Sequence, residues 1–232
     1  FKIWSGFYTM NEINRLKELH RLSVLDSPPE RDLDDVTKVL GQIFEVPISL
    51  ITLVDSDRQW FKSKQGLEIC QTSREISFCQ HVITSEKTLV INDTHLDQRF
   101  SKNTLVLEDP KIRFYAGAPL KTKLGAVIGT LCIKDTRPRE ISHVQIRILE
   151  VYANLVVSQM EANHVNGVLK EVIEKVEDRE RELAITALRL TSLIDSLNVG
   201  ILFLDKYGKV IFQNHYLNKF FLNLNTKMEG MD

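Results

Sequence analysis

One stretch decides the fold: Ile48-Ser49-Leu50-Ile51-Thr52-Leu53-Val54, an apolar run rich in β-branched residues. A polar turn follows at residues 55–58, and residues 59–64 then alternate in character up to Gly66. A continuous apolar run is typical of a strand buried on both faces, whereas alternation is typical of a strand buried on one face. The stretch therefore predicts a β-hairpin with one fully buried and one half-buried strand.

Two amphipathic helices are predicted before the hairpin, over residues 11–25 and 33–43. Between them, Pro28-Pro29 ends the first helix and lies where the first turn of the second tolerates proline. The apolar faces are Ile13, Leu16, Leu19, Leu22 and Leu25 in the first helix, and Leu33, Val36, Val39, Leu40 and Ile43 in the second.

A second hairpin is predicted after the first, with strands at residues 112–120 and 126–134 around a turn at 123–125. Between the hairpins the sequence predicts a short helix at residues 77–84, a strand at 89–91 and an irregular loop over 93–107. The small residues Gly117, Ala118 and Gly129 indicate a close approach by a helix or a ligand. Antiparallel hairpins between helices make an α+β domain, assigned to residues 10–150.

A heptad pattern follows over residues 151–197, which predicts a long helix with one apolar seam. Such a seam is buried only against a partner helix, so we expect a parallel homodimer. The alternative is an ordinary amphipathic helix packed on its own domain. Arg179 and Thr186 weaken the seam, which suits a helix pair that changes register. The two sets of seam positions are Leu155, Ala162, Leu169, Val176, Leu183, Leu190 and Leu197, and Val151, Ser158, Val165, Val172, Arg179, Thr186 and Leu193.

The period changes again after the heptads, over residues 198–232. Strands are predicted at residues 199–205 and 210–214, with an amphipathic helix at 215–222. A lone hairpin of this size is marginal by itself, so this segment reads as part of a second domain.

Composition excludes several classes of protein. The formal net charge of −1 gives no reason to expect nucleic acid or an anionic membrane as partner. The three cysteines lack the density of a disulfide scaffold and the spacing of a metal site, so we expect a cytoplasmic protein without a metal centre. The aromatic-rich residues 1–9 have no signal-peptide layout and are treated as cloning-derived or upstream residues.

Several motifs in residues 11–159 resemble the GAF domain of bacterial signalling proteins. They are Pro47-Ile48-Ser49-Leu50-Ile51, Val54-Asp55, Asp57-Arg58-Gln59-Trp60-Phe61-Lys62-Ser63, Ser77-Phe78-Cys79-Gln80-His81, Asp97, Arg99-Phe100, Arg113-Phe114-Tyr115-Ala116-Gly117-Ala118-Pro119-Leu120 and Ile128-Gly129-Thr130-Leu131-Cys132. The later stretches Leu193-Ile194-Asp195-Ser196-Leu197, Gly200-Ile201-Leu202-Phe203-Leu204-Asp205, Gly208, Val210-Ile211 and Asn214 resemble the opening of a PAS domain.

The GAF resemblance implies a six-stranded antiparallel sheet, a pocket that responds to a small molecule or a partner, and dimerisation through flanking helices. It also implies an output domain elsewhere, such as a diguanylate cyclase or a histidine kinase, so this chain is expected to be a sensor and no enzyme. No cofactor is assigned. Covalent bilin is not expected because residues 101–111 hold no cysteine, and the signature of cyclic-nucleotide-binding GAF domains is absent.

No catalytic residue is predicted, and the candidate ligand-binding residues are Trp60, Phe78, Cys79, His81, Asp93, Asp97, Arg113, Tyr115 and Cys132. Core packing is the preferred interpretation for Phe78 and also for Phe100. Arg113 is expected either to pair with Asp93 or Asp97 or to bind an anion. Two other functions stay open: a thiol sensor or redox enzyme acting through Cys79, and a purely structural dimerisation module whose pocket is filled by side chains.

Overall fold

The computed structural model describes residues 10–220 of the 232-residue chain, so the interpretation of residues 1–9 lies outside the described residues. The chain divides into two compact units, Phe1–Asn166 and Gly167–Asp232. Across residues 10–220 no helix has both the length and the apolar character needed to cross a membrane.

A six-stranded antiparallel sheet forms the centre of the first unit, in the order β3-β2-β1-β6-β5-β4. The central strands β1 and β6 are buried along their whole length, and β2 is only partly buried, as the sequence predicts. The strands are β1 Ile48–Val54, β2 Arg58–Gln65, β3 Gln71–Ser73, β4 Leu89–Ile91, β5 Phe114–Lys121 and β6 Val127–Asp135.

Strands β1 and β6 approach each other most closely at Gly129. A Cβ atom at this position would lie 2.0 Å from the carbonyl oxygen of Thr52, which no real side chain tolerates. The approaching element is therefore the backbone of the paired strand β1, and the expected approach of a helix or a ligand at this glycine is wrong.

Each face of the sheet has its own core because side chains alternate along the strands. On the first face, residues such as Leu53 and Leu131 pack under α1 (Met10–Arg21), α2 (Arg31–Ile43) and the first turns of α5 (His143–Ser196). On the second face, α3 (Cys79–Ser85) and α4 (Thr104–Leu107) cover residues such as Leu50 and Cys132. The predicted α+β class with a long C-terminal helix is confirmed.

Two local predictions differ from the structure. The first helix ends at Arg21 and does not reach Leu25, because Ser23 and Asp26 have φ angles of 54° and 53° that break the helical backbone. Strand β3, which pairs with β2 at the sheet edge, was not predicted, because its short polar sequence Gln71–Ser73 has no apolar alternation.

The second unit contains the C-terminal part of α5 and a two-stranded sheet of β7 (Leu202–Leu204) and β8 (Val210–Gln213). Asn214 is fully buried and ties the hairpin to its flanking turns. Its side chain accepts hydrogen bonds from the amides of Ile201 (2.9 Å) and Leu217 (3.2 Å) and donates one to the carbonyl of Val199 (2.9 Å). Residues 215–220 are helical, and the remainder of the predicted helix, to Leu222, lies outside the described residues.

Candidate functional site

The second face of the sheet brings together four predicted ligand residues: Phe78, Cys79, Tyr115 and Cys132. Alternation along β5 and β6 directs Tyr115 and Cys132 to this face, and Cys79 is the first residue of α3. All four side chains are fully buried. Four residues that were predicted from distant segments of the sequence therefore lie in one cluster.

Aromatic rings fill this face. The Phe78 ring stacks on the Tyr115 ring, with centroids 5.1 Å apart, and its centroid lies 4.7 Å from that of the tilted Phe100 ring. The prediction that Phe78 and Phe100 belong to the core is confirmed, since both are buried. A small molecule would therefore enter this face only if the aromatic side chains moved.

The Cys79 sulfur accepts hydrogen bonds from the hydroxyls of Thr130 (3.0 Å) and Tyr115 (3.5 Å). Burial opposes a charge on this sulfur, but hydrogen bonds from Cys132, Thr130 and Tyr115 and the positive charge of Lys134 hold the pKa of the Cys79 thiol well below its usual range. Burial, together with the neighbouring Cys79, raises the pKa of the Cys132 thiol well above its usual range.

Lys134 is the charged group of this cluster and is only 3% exposed. Its ammonium lies 5.8 Å from the Phe78 ring centroid and 6.0 Å from that of Tyr115, which is within the range of cation–π attraction. Neither Lys134 nor Thr130 was a candidate from sequence. Both lie two residues from Cys132 on one strand, so the period of two would have placed them on the same face.

Trp60 does not belong to this cluster. Its side chain packs against the core of the opposite face, whereas the next residue, Phe61, packs on the face of Cys79. The prediction that Trp60 shares a ligand site with Phe78 and Tyr115 is therefore wrong, because neighbouring residues of a strand point to opposite faces.

The remaining candidates lie in or beside the loop over α3. The His81 ring is exposed and contacts the edge of Phe100, with centroids 4.7 Å apart. Asp97 pairs with Arg99 at 2.6 Å, and that guanidinium holds the pKa of the Asp97 carboxyl below its usual range against a smaller opposing effect of burial. Asp93 accepts a hydrogen bond from the backbone of His95 at 3.0 Å.

Arg113 forms neither of the predicted ion pairs. Its guanidinium donates to the carbonyl oxygens of Val106 (2.9 Å) and Ile112 (3.4 Å), and thereby ties α4 to the start of β5. The expected pairs with Asp93 and Asp97 are wrong, because Arg113 donates to loop carbonyls, while Asp97 pairs with Arg99 and Asp93 accepts from the His95 amide.

A groove of roughly 580 Å³ lies between the edge strand β4 and α5, and no sequence pattern predicted it. This volume is in the range of small-molecule sites, about 300–1,000 Å³. Two of its polar pairs link the lining elements: Thr88 donates to Glu150 at 2.8 Å, and Lys121 pairs with Glu86 at 3.0 Å.

Helix α5 has two apolar stripes with different surroundings. Leu149, Ala153, Val156, Val157 and Met160 form the first stripe and are buried in the core under the sheet. The heptad residues form the second, and they are exposed: Leu155, for example, exposes 56% of its surface although its neighbours Val156 and Val157 are buried.

Residues 28–160, more than half of the chain, match the family model of the GAF domain. The chain belongs to the GAF domain family. It is 36% identical over 154 residues to a cyclic di-GMP phosphodiesterase of Pseudomonas aeruginosa, an alignment that covers 66% of this chain and only 26% of that protein. The chain thus spans about a quarter of the length of this relative.

A solved GAF domain has the same fold. The GAF domain of a phosphoenolpyruvate-protein phosphotransferase from Coxiella burnetii superposes with a TM-score of 0.52 at 16% identity, covering 68% of this chain and 98% of that one. The GAF domain of the corresponding Acinetobacter protein gives 0.49 at 17% identity, covering 69% and 98%.

Proposed function

We propose that this chain is the sensory and regulatory module of a signal transduction protein. In this proposal the GAF unit senses a small molecule or a protein partner, the seam of α5 holds two copies in parallel, and the signal passes to an output domain such as a diguanylate cyclase or a histidine kinase. The chain itself would perform no catalysis, and the hairpin β7–β8 would be the opening of a PAS domain. Membership of the GAF family and the identity with a signalling phosphodiesterase support a sensor role.

The observation that carries the proposal is the pair of stripes on α5. The first stripe of α5 is part of the GAF core, whereas the second stripe leaves leucine and valine side chains exposed. The helix therefore presents an apolar surface that is suited to a partner. Leu155, Leu169, Val176 and Leu183 repeat at the spacing of a coiled coil, and a second copy of the same helix buries them in register. The proposed homodimer is parallel because equal residues then meet along the seam.

Sensing and dimerisation share this helix, and a second contact couples them. Glu161 of α5 accepts a hydrogen bond at 2.9 Å from the backbone amide of Lys123, in the turn between β5 and β6. These two strands also carry Tyr115 and Cys132 of the second face. A ligand or partner that repacks the second face would shift this turn and, through Glu161, the register of the seam.

A second candidate function is a structural dimerisation module without a ligand. It is favoured by the packed rings of Phe78, Phe100 and Tyr115, which occupy the face where a GAF ligand would be expected. No nucleic acid, membrane or covalent chromophore is part of either proposal, and a cytoplasmic setting is proposed for both.

Site-specific cross-linking tests the parallel dimer. In a Cys70→Ala background, which removes the exposed thiol, Leu169→Cys places a cysteine on the seam and Glu174→Cys places one on the outer side of the same helix. Mild oxidation should link the Leu169→Cys protein into a covalent dimer and leave the Glu174→Cys protein largely monomeric. Equal yields at the two positions, or no cross-linking at either, would refute the proposal that the seam is the dimer interface.

Native mass spectrometry separates the two candidate functions. A dimer with an extra mass that denaturation removes would identify a bound molecule and support the sensor. Without such a mass, the cross-linking rate of the Leu169→Cys protein distinguishes the two candidates. The rate should change when a sensor binds its stimulus, and it should stay constant under all conditions for a structural module.

A further inference from the structure

Two of the three cysteines are brought together inside the fold. Cys79 begins α3 and Cys132 lies in the middle of β6, and both side chains are completely buried in the same core cluster. The two thiols are close enough for each to shift the pKa of the other. The third cysteine, Cys70, is exposed.

The surroundings of Cys79 are those of a charged sulfur. A cysteine that only fills a core packs among apolar atoms, because its thiol is a weak hydrogen-bonding group. Here the sulfur receives hydrogen bonds from Thr130 at 3.0 Å and from Tyr115 at 3.5 Å. Donors that converge on one acceptor stabilise a negative charge there.

Lys134 provides the opposite charge. Within residues 10–220 no carboxylate lies within ion-pair distance of its ammonium, although the side chain is 3% exposed. A buried ammonium is costly unless a negative group compensates it. The Cys79 thiolate is the group in this cluster that does so, and the electrostatic attraction between the two favours the ionised pair.

We propose that Cys79 and Cys132 form a reversible redox pair, which a hydroperoxide such as hydrogen peroxide oxidises to an intramolecular disulfide. The Cys79 thiolate attacks one peroxide oxygen, the O–O bond breaks, and the released hydroxide leaves as water after it takes up a proton, so Cys79 becomes a sulfenic acid. The Cys132 sulfur then attacks the Cys79 sulfur. The S–S bond forms, the S–O bond breaks, and the leaving hydroxide takes the Cys132 proton as a second water. Two thiols lose two electrons in total, and the peroxide is reduced to two waters.

Burial limits the access of an oxidant to these two cysteines. Neither sulfur is exposed, so oxidation requires a brief opening of α3, a helix of seven residues. A small oxidant is admitted by a smaller opening than an alkylating reagent needs. The exposed Cys70 therefore reacts with maleimide in the folded protein under conditions in which the buried pair does not.

The test uses the wild-type chain. Cys70 is first blocked with N-ethylmaleimide on the folded protein, hydrogen peroxide is added and quenched, and the remaining thiols are counted after denaturation. We expect two thiols before peroxide and none after it, with two thiols recovered by dithiothreitol and a Cys79–Cys132 cross-linked peptide in the digest. Two thiols still present after peroxide, or oxidation beyond recovery by the reductant, would overturn the proposal.

The variant Lys134→Met separates a redox pair from two incidental core cysteines. Methionine keeps the length of the side chain and removes the charge, so the fold is expected to persist while the thiolate fraction falls. Peroxide should then oxidise the pair more slowly than in the wild type, because the neutral side chain no longer attracts the Cys79 thiolate. The matched control Lys64→Met, next to the exposed Cys70, should leave the rate for the buried pair unchanged. Equal rates in wild type and Lys134→Met would refute the role of the lysine, and the wild-type thiol count still decides the disulfide.

Discussion

Truncation of Leu183 tests whether the exposed stripe of α5 is an interface. This side chain is 63% exposed in the single chain and lies on the seam. Burying a whole leucine side chain contributes about 1.5–3 kcal/mol, so the exposed fraction from two copies contributes about 2–4 kcal/mol to a dimer. Since 1.4 kcal/mol corresponds to tenfold in affinity, Leu183→Ala should raise the dimer dissociation constant roughly 25- to 700-fold.

Leu188 supplies the matched control for this prediction. It lies on the same helix, five residues after Leu183 and on its outer side, and is 72% exposed. Leu188→Ala removes the same atoms and changes helix propensity equally, so the dissociation constant should change less than about threefold. Sedimentation equilibrium over a range of protein concentrations measures both constants. If Leu188→Ala weakened the dimer as much as Leu183→Ala, or if the wild type stayed monomeric at the highest concentration, the assignment of the interface would be refuted.

Three further predictions concern the stability of the chain. Gly129→Ala should lower the free energy of unfolding by about 1–3 kcal/mol or more because its Cβ would overlap a backbone carbonyl. Gly167→Ala, in an open helical position, should instead raise helix stability by about 0.5–1 kcal/mol. Urea titration followed by circular dichroism compares the two variants. Burial opposes ionisation of Glu12, but two arginine guanidiniums lower its pKa from 4.5, so its contribution is full above this pH and is lost as the pH falls through the lower folded value. Glu12→Gln should therefore destabilise the protein at neutral pH and reduce the further loss of stability on acidification, and parallel pH profiles for the two proteins would contradict this. Arg113→Met should cost about 1.5–3 kcal/mol because it removes a charged donor from two loop carbonyls; an unchanged unfolding midpoint would show that these bonds do not hold α4.

The fold was predicted well where apolar residues have a clear period. The run Ile48–Val54 became the fully buried strand β1, and the residues around Cys132 became the fully buried strand β6. Burial on both faces requires a continuous apolar sequence, so these central strands can be recognised from the sequence alone. Strand β3 has three polar residues at a sheet edge, and pairing with β2 creates it without any pattern of its own.

The candidate site was predicted only in part. Residue type alone suggested Cys79, Tyr115 and Cys132, and the fold brings them together. It also suggested Trp60, which the alternation of β2 places on the other face. Lys134 was missed because a lysine on a strand is normally solvated, and only the closed second face shows that this one is buried.

The sequence by itself determined the elements, because the periods of two and of 3.6 residues are properties of local backbone geometry that side chains follow in any context. It also determined that the chain presents a heptad stripe over residues 151–197. Only the tertiary structure decided what surrounds each side chain: which cysteine accepts hydrogen bonds, where the lysine charge lies, and which stripe of α5 the sheet already covers. Those facts depend on contacts between residues far apart in the chain, and no local pattern encodes them.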